Sequence, residues 1–211
     1  EEGSFYIGCA GGVNTQANFK LKTEKSPRNY SSFEVKIEGL KGGHSGLEIH
    51  TGLGNAIKLL TRLLWTYGKD KKISLASING GNKHNAIPRE AYAFVLVPKA
   101  DEKNFKKFVA KYNDTVKAEY STVEPDLKVY LEKVKTPERV IDAKTQKNLL
   151  NSLYACPHGV VKMSPDIPGL VETSTSLAVV TTEAKRINIV TSQRSSVASE
   201  ISDIRNMVSS V

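Results

Sequence analysis

Between positions 33 and 38 apolar and charged residues alternate. Phe33, Val35 and Ile37 stand between Glu34, Lys36 and Glu38, the period-two pattern of a strand with one buried and one wet face. Past a glycine-rich stretch the period changes: Ala56, Ile57, Leu60, Leu63, Leu64 and Tyr67 recur at helical spacing, with Gly68 as the predicted stop. Ile73 to Ile78 reads as a strand and Gly80 to Asn85 as a loop. Tyr92 to Val97 reads as a strand apolar on both faces, with Phe94 as core and Ile73 to Ile78 as its neighbour. Asp101 is placed to cap a helix burying Phe105, Phe108, Val109, Tyr112 and Val116, and Leu127 to Val134 reads as the next strand. Residues 33–135 therefore run strand, helix, strand, strand, helix, strand. That order predicts an α+β fold, a two-layer ferredoxin-like unit with its helices on one face of an antiparallel sheet.

Residues 1–32 read as connecting strands, one at the apolar run Phe5 to Gly12 and one at the alternation Phe19 to Lys22, followed by a turn at Ser26 to Asn29. Thr136, Pro137 and Glu138 break the later pattern, and a second, smaller α/β unit is expected over residues 136–211. It comprises a helix capped by Asp142 that contains Leu149, Leu150, Leu153 and Tyr154 and stops before Pro157. Strands follow at 160–163, 170–180 and 187–190, then a final helix marked by Val197, Ile201, Ile204 and Val208. No sequence repeat relates the two halves.

The chain has 211 residues, 39% of them hydrophobic, enough for one substantial core or two small ones. No apolar run approaches the length needed to cross a bilayer, so no membrane partner is expected. Glu1, Glu2 and Gly3 match neither a signal peptide nor an initiator methionine, as expected of a piece of a longer protein. Cys9 and Cys156 lack CxxC spacing, which argues against a disulfide framework or zinc knuckle and fits a reducing cytoplasm. The net charge of +8 fits either an anionic partner or a lysine-rich surface. Because Lys103, Lys106, Lys107, Lys111 and Lys117 fall on polar helix positions, a solvated face accounts for much of it.

The chemistry has few candidates. There is no GxSxG elbow, no P-loop and no HExxH, and the four histidines are His44, His50, His84 and His158. The spacing of His44 and His50 suits neither a helical nor a strand pair of metal ligands, so no metal site is expected in this chain. Glu1 and Glu2, adjacent carboxylates at the terminus, have no His or Asp nearby to complete a base and metal pair. Asp166 and Glu172 read as turn and surface groups. Three residues remain on glycine-rich or strand-end backbone: His44, Asn85 and Arg194. An imidazole can donate to a developing oxyanion, an asparagine can pair with a peptide group, and an arginine can grip a carboxylate bidentately. Taken singly, each also has an ordinary explanation: a solvated loop histidine, a turn former, and a surface ion pair.

Four ordered motifs carry a resemblance. They are Gly39 to His50 around His44, followed by Gly54-Asn55-Ala56; Asn85 to Ala91; Gly169 to Ala178; and Ser192 to Ser196 around Arg194. Together they resemble the aminoacyl-histidine dipeptidase family, also called peptidase D or cytosol nonspecific dipeptidase, among the di-zinc exopeptidases related to aminoacylase and carnosinase. The segment from Glu1 resembles the stretch that follows the family's last amino-terminal metal-binding Asp. The resemblance implies that this chain is the inserted lid and dimerisation domain, with two zinc ions, their ligands and the general base in a catalytic domain on either side. It further implies that His44 stabilises the oxyanion, that Asn85 and Arg194 bind the dipeptide substrate, that the lid forms a homodimer, and that the full-length protein is a cytoplasmic metallopeptidase. The lid alone is expected to be inactive.

One rival belongs to another class. An RNA-recognition motif has the same element order, and Tyr92-Ala93-Phe94-Val95 matches the middle of its third-strand signature. Glu90 and Ala91 stand where Lys or Arg and Gly are expected, and Val97 replaces the final aromatic. A glutamate there repels phosphate, so no nucleic acid partner is expected.

Overall fold

The computed structural model describes residues 10–211. The apolar run from Phe5, its strand and Cys9 therefore lie outside the described residues, apart from the run's last positions. In chain order the strands and helices are β1 (Gly11–Lys20), β2 (Thr23–Lys25), β3 (Tyr30–Glu38), β4 (Gly43–His44), α1 (Ala56–Asp70), β5 (Ser74–Gly80), β6 (Ala86–Ile87), β7 (Ala91–Pro98) and α2 (Glu102–Glu119). They continue with β8 (Lys128–Lys133), β9 (Arg139–Ile141), α3 (Ala143–Ala155), β10 (Gly159–Met163), β11 (Val171–Thr182), β12 (Arg186–Ser195) and α4 (Ala198–Ser209).

An antiparallel sheet runs β1-β12-β11-β5-β7-β3-β8, with β10 added beside β11. Within it, β3, β5, β7 and β8 stand in the spatial order second, third, first, fourth that defines the ferredoxin-like unit, and β5 pairs with β7 as predicted. The core follows from the alternation: Phe33, Val35 and Ile37 turn inward against Ile57, Leu60, Leu63 and Leu64 of α1 and Phe105, Val109 and Val116 of α2. Each such side chain contributes about 1.5–3 kcal/mol by leaving water. Phe105 anchors the layer, its ring 4.8 Å from that of Tyr67 and 6.0 Å from that of Phe33.

The sheet continues without a break into the carboxy-terminal residues, although β11 meets β5 at a single paired position, Val180 to Gly80. A side chain at Gly80 would meet Ile57 at 2.7 Å and Ala91 at 2.9 Å, so only glycine lets the strands close on α1. Helix α3 docks on α1. Trp65 stacks on Tyr154 at 4.4 Å and donates to Asn151, and the Lys58 ammonium donates to the carbonyls of Leu153, Tyr154 and Cys156 at the end of α3. Leu149, Leu150, Leu153 and Ile187 join the same apolar cluster as β3 and α1.

Several expectations are corrected. Gly68 does not stop α1, which runs to Asp70; it packs where an added Cβ would lie 3.2 Å from Ile73. Gly11 and Gly12 begin a strand rather than end one, because β1 pairs with β12 along its whole length despite its polar sequence. Phe94 is not core: it is 38% exposed on the helix-free face, beside Tyr92 at 37%. Asp101 precedes α2 but its carboxylate takes no backbone N–H, since a turn of 3-10 helix, Lys99–Asp101, leads into the helix instead. Phe108 is only partly buried. Glu172 is not a surface group, being buried and paired with Lys162 at 2.5 Å. The capping role of Asp142 is as predicted, with Oδ1 accepting from the N–H groups of Lys144 and Thr145.

Candidate functional site

The connection from β3 to α1 carries His44. Gly39 has φ +79° and Gly42 φ +66°, and a side chain at Gly39 would lie 2.0 Å from the Asp126 carbonyl oxygen. Glycine is thus required by both conformation and space. The chain then forms β4, which pairs with β6 so that Gly43 faces Ile87 and His44 faces Ala86. The Ser45 N–H closes this ladder on the Asn85 carbonyl at 2.9 Å. A ladder of four residues thereby brings together His44 and Asn85, more than forty positions apart, at one cleft of about 520 Å³. Lys41, Lys83 and Arg89 line it too, and Glu90 stands 3.5 Å from Arg89, so the cleft favours an anion.

The half-buried His44 is held by its own turn. Its Nδ1 accepts the N–H groups of Gly46 at 3.2 Å and Leu47 at 3.1 Å, while its main-chain N–H donates to Glu48 Oε2 at 2.7 Å. In the neutral imidazole the proton therefore sits on Nε2. The ring then offers an Nε2–H donor, the type of group that meets a carbonyl oxygen as it gains charge.

Arg194 lies on β12, opposite Ser174 of β11, and does not line the cleft of His44 and Asn85. It reaches the histidine's turn from the other side: a side chain at Gly46 would stand 3.0 Å from its Nε and 3.1 Å from its Cζ. That Nε is buried and has no hydrogen-bond partner among the described residues, as are the hydroxyls of Ser45 and Ser176. Buried donors are ordinarily satisfied, so an arginine left with spare donors here is set up for an acceptor.

Two further groups, at the roots of the segment that bears His44, carried no signal in the sequence. Glu124, 1% exposed in the turn after α2, accepts the N–H groups of Lys41 at 2.8 Å and Gly54 at 2.9 Å. His158 lies against Asn55, the residue that caps α1: Asn55 Oδ1 accepts from Lys58, and its Nδ2 donates to the Leu177 carbonyl at 2.8 Å and lies 3.3 Å from His158 Nδ1. Burial, with the Lys58 charge adding to it, pushes the His158 pKa down to about 4. Among the described residues no three His, Cys, Asp or Glu side chains gather where they could hold a metal ion, and no helix is long and apolar enough to cross a membrane.

Residues 28–124 match a family model described as a peptidase dimerisation domain. The chain is 39% identical over 189 residues to the cytosol non-specific dipeptidase of Escherichia coli K12, a match covering 90% of this chain and 39% of that protein. Its fold superposes on the crystal structure of aminoacylhistidine dipeptidase from Vibrio alginolyticus with a TM-score of 0.95 and 35% identity, covering 97% of this chain and 42% of that one. The chain thus spans about two-fifths of the length of the relatives it matches. By sequence and by fold the chain is similar over nearly its whole length to part of the cytosol non-specific and aminoacylhistidine dipeptidases, and within it residues 28–124 are similar to a peptidase dimerisation domain.

Proposed function

We propose that this chain is the lid of a longer, cytoplasmic, zinc-dependent dipeptidase that hydrolyses dipeptides such as Xaa-His. His44 is its oxyanion donor, and Asn85 and Arg194 are its substrate-binding groups. The observation that carries the reading is the ring state of His44: with Nδ1 taken by Gly46 and Leu47, the free nitrogen is a donor. Attack on the dipeptide carbonyl gathers charge on its oxygen, and an Nε2–H held on a fixed turn meets that charge without reorganising. Asn85 at the same cleft pairs with a peptide group, and Arg194, with spare donors, takes a carboxylate. The resemblance assigns the two zinc ions and the general base to a catalytic domain beyond these residues, and the described residues contain no set fit to hold them.

In this reading residues 33–135 form the ferredoxin-like lid unit, 136–211 a second lid unit, and 1–32 the connection to the catalytic domain. The lid makes a homodimer, as the name of its domain family implies. The test is the turnover of full-length protein carrying His44→Ala. A fall of roughly a hundredfold or more with zinc content intact is expected, and unchanged turnover removes His44 from the mechanism.

One observation favours the RNA-binding reading: Tyr92 and Phe94 stand exposed on the open face of the sheet, where an RNA-recognition motif stacks bases. The neighbours of these rings weigh against it. Phe94 lies opposite Glu34, which lies opposite Glu132, and Lys36 is engaged by both glutamates at 3.3 and 2.9 Å. A ladder of carboxylates beside the rings repels a phosphate backbone.

A further inference from the structure

The loop that bears His44 begins and ends on one carboxylate. Glu124 Oε2 receives the N–H of Lys41 and Oε1 receives the N–H of Gly54, so the two oxygens of a single buried side chain join the roots of the fourteen-residue segment 41–54. The segment Tyr120–Leu127 that holds Glu124 is itself fixed. The N–H of Glu124 donates to the Tyr120 carbonyl at 2.8 Å, the Glu124 carbonyl accepts from Leu127 at 3.2 Å, and the Asp126 backbone abuts Gly39. No lysine or arginine pairs with Glu124 among the described residues. Two main-chain donors are what compensate its burial. A buried carboxylate held in this way is costly to retain for stability alone, since an apolar side chain of similar shape meets no such desolvation. Its effect is local and geometric: it closes the loop at its base, so that the turn holding the imidazole has a fixed origin.

We propose that Glu124 is a positioning residue for His44, setting where the histidine's Nε2–H stands when the cleft is filled. The proposal rests on the oxyanion role given to His44 above. Glu124 touches neither substrate nor the reacting atoms in this account; it acts through the loop. Misplacing a catalytic donor by a fraction of an ångström lowers turnover while leaving much of the ground-state affinity intact.

The experiment pairs kinetics with hydrogen exchange on full-length protein. Glu124→Gln preserves shape but turns an NH2 group toward one of the two backbone donors. Faster exchange confined to 41–54, with α1 unchanged, and a kcat lower by roughly ten- to a hundredfold with KM within about threefold, are expected. In a His44→Ala background the same substitution is expected to change kcat by less than about twofold, because the group it positions is gone. Wild-type exchange over 41–54, or an equal loss of kcat with and without His44, overturns the proposal. If His44→Ala alone leaves turnover unchanged, the oxyanion reading fails by itself, and exchange over 41–54 still decides whether Glu124 holds the loop. Glu124→Asp, which keeps the charge and withdraws it by one methylene, is the second variant should the amide not fold. Exchange over 41–54 no faster than wild type in it overturns the proposal equally.

Discussion

The N–H of Leu47 lies 3.1 Å from Nδ1 of His44, so the turn that follows the histidine decides which ring nitrogen keeps the proton. The main chain sets this tautomer; the Leu47 side chain is 73% exposed and plays no part. In two-bond proton–nitrogen correlation spectra, neutral His44 is expected to show its proton on Nε2, and Leu47→Ala should leave both the tautomer and the melting temperature unchanged. A proton on Nδ1 would remove the donor from the cleft.

Gly46 lacks a side chain where Arg194 passes. An alanine there would press its methyl against Nε and Cζ from 3.0 and 3.1 Å, and the flexible guanidinium would give way before the backbone did. Gly46→Ala in full-length protein is therefore expected to raise KM by roughly tenfold, about 1.4 kcal/mol of lost substrate contact, while unfolding stability changes by less than about 1 kcal/mol. An unchanged KM would separate Arg194 from substrate binding.

Lys58 satisfies three carbonyls at the end of α3, and its burial lowers its pKa. Lys58→Met keeps the apolar stem and removes the donors, leaving three acceptors and the negative end of the helix uncompensated. A loss of about 2 kcal/mol in urea unfolding is expected, from the contribution of hydrogen bonds to a charged group. A loss under about 0.5 kcal/mol would show that water replaces the ammonium at little cost.

His158 makes stability depend on pH in a defined direction. Its folded-state pKa, near 4, lies below the ordinary 6.5, so between those values the unfolded chain binds the proton and the folded chain resists it. Stability should fall as pH drops from 6.5 towards 4, by at most about 1.4 kcal/mol per pH unit from this residue. His158→Gln should flatten that segment of the curve, as read from urea midpoints at several pH values. An unchanged slope would mean that His158 titrates normally in the fold.

In the lid reading proposed above, which places the zinc-binding residues and the general base in a separate catalytic domain, the 211 residues supplied with zinc are expected to cleave no dipeptide. Zinc-dependent cleavage by this chain alone would overturn its assignment as a lid.

Much of the fold was legible along the chain because the signals are local. The alternation at Phe33–Glu38 and the helical spacing from Ala56 to Tyr67 each state which face is buried, and six such segments in order define the ferredoxin-like unit. Errors fell where packing overrode the local signal. Gly68 looks like a stop until Ile73 is seen packed against it, and polar β1 becomes a strand only because β12 lies alongside. Phe94 reads as core because hydrophobicity says nothing about whether a sheet's second face is covered.

Read alone, the sequence offers the residue types of the candidate site, since an imidazole, an amide and a guanidinium on glycine-rich or strand-end backbone have a small set of uses. Their arrangement comes from the fold. The β4–β6 ladder brings His44 to Asn85, Gly46 gives Arg194 its passage, and Glu124, unremarked in the sequence, ties Lys41 to Gly54. The difference is one of range: propensity and periodicity act over a few residues, whereas these relations span from about 40 to nearly 150 positions and exist only once the core has closed.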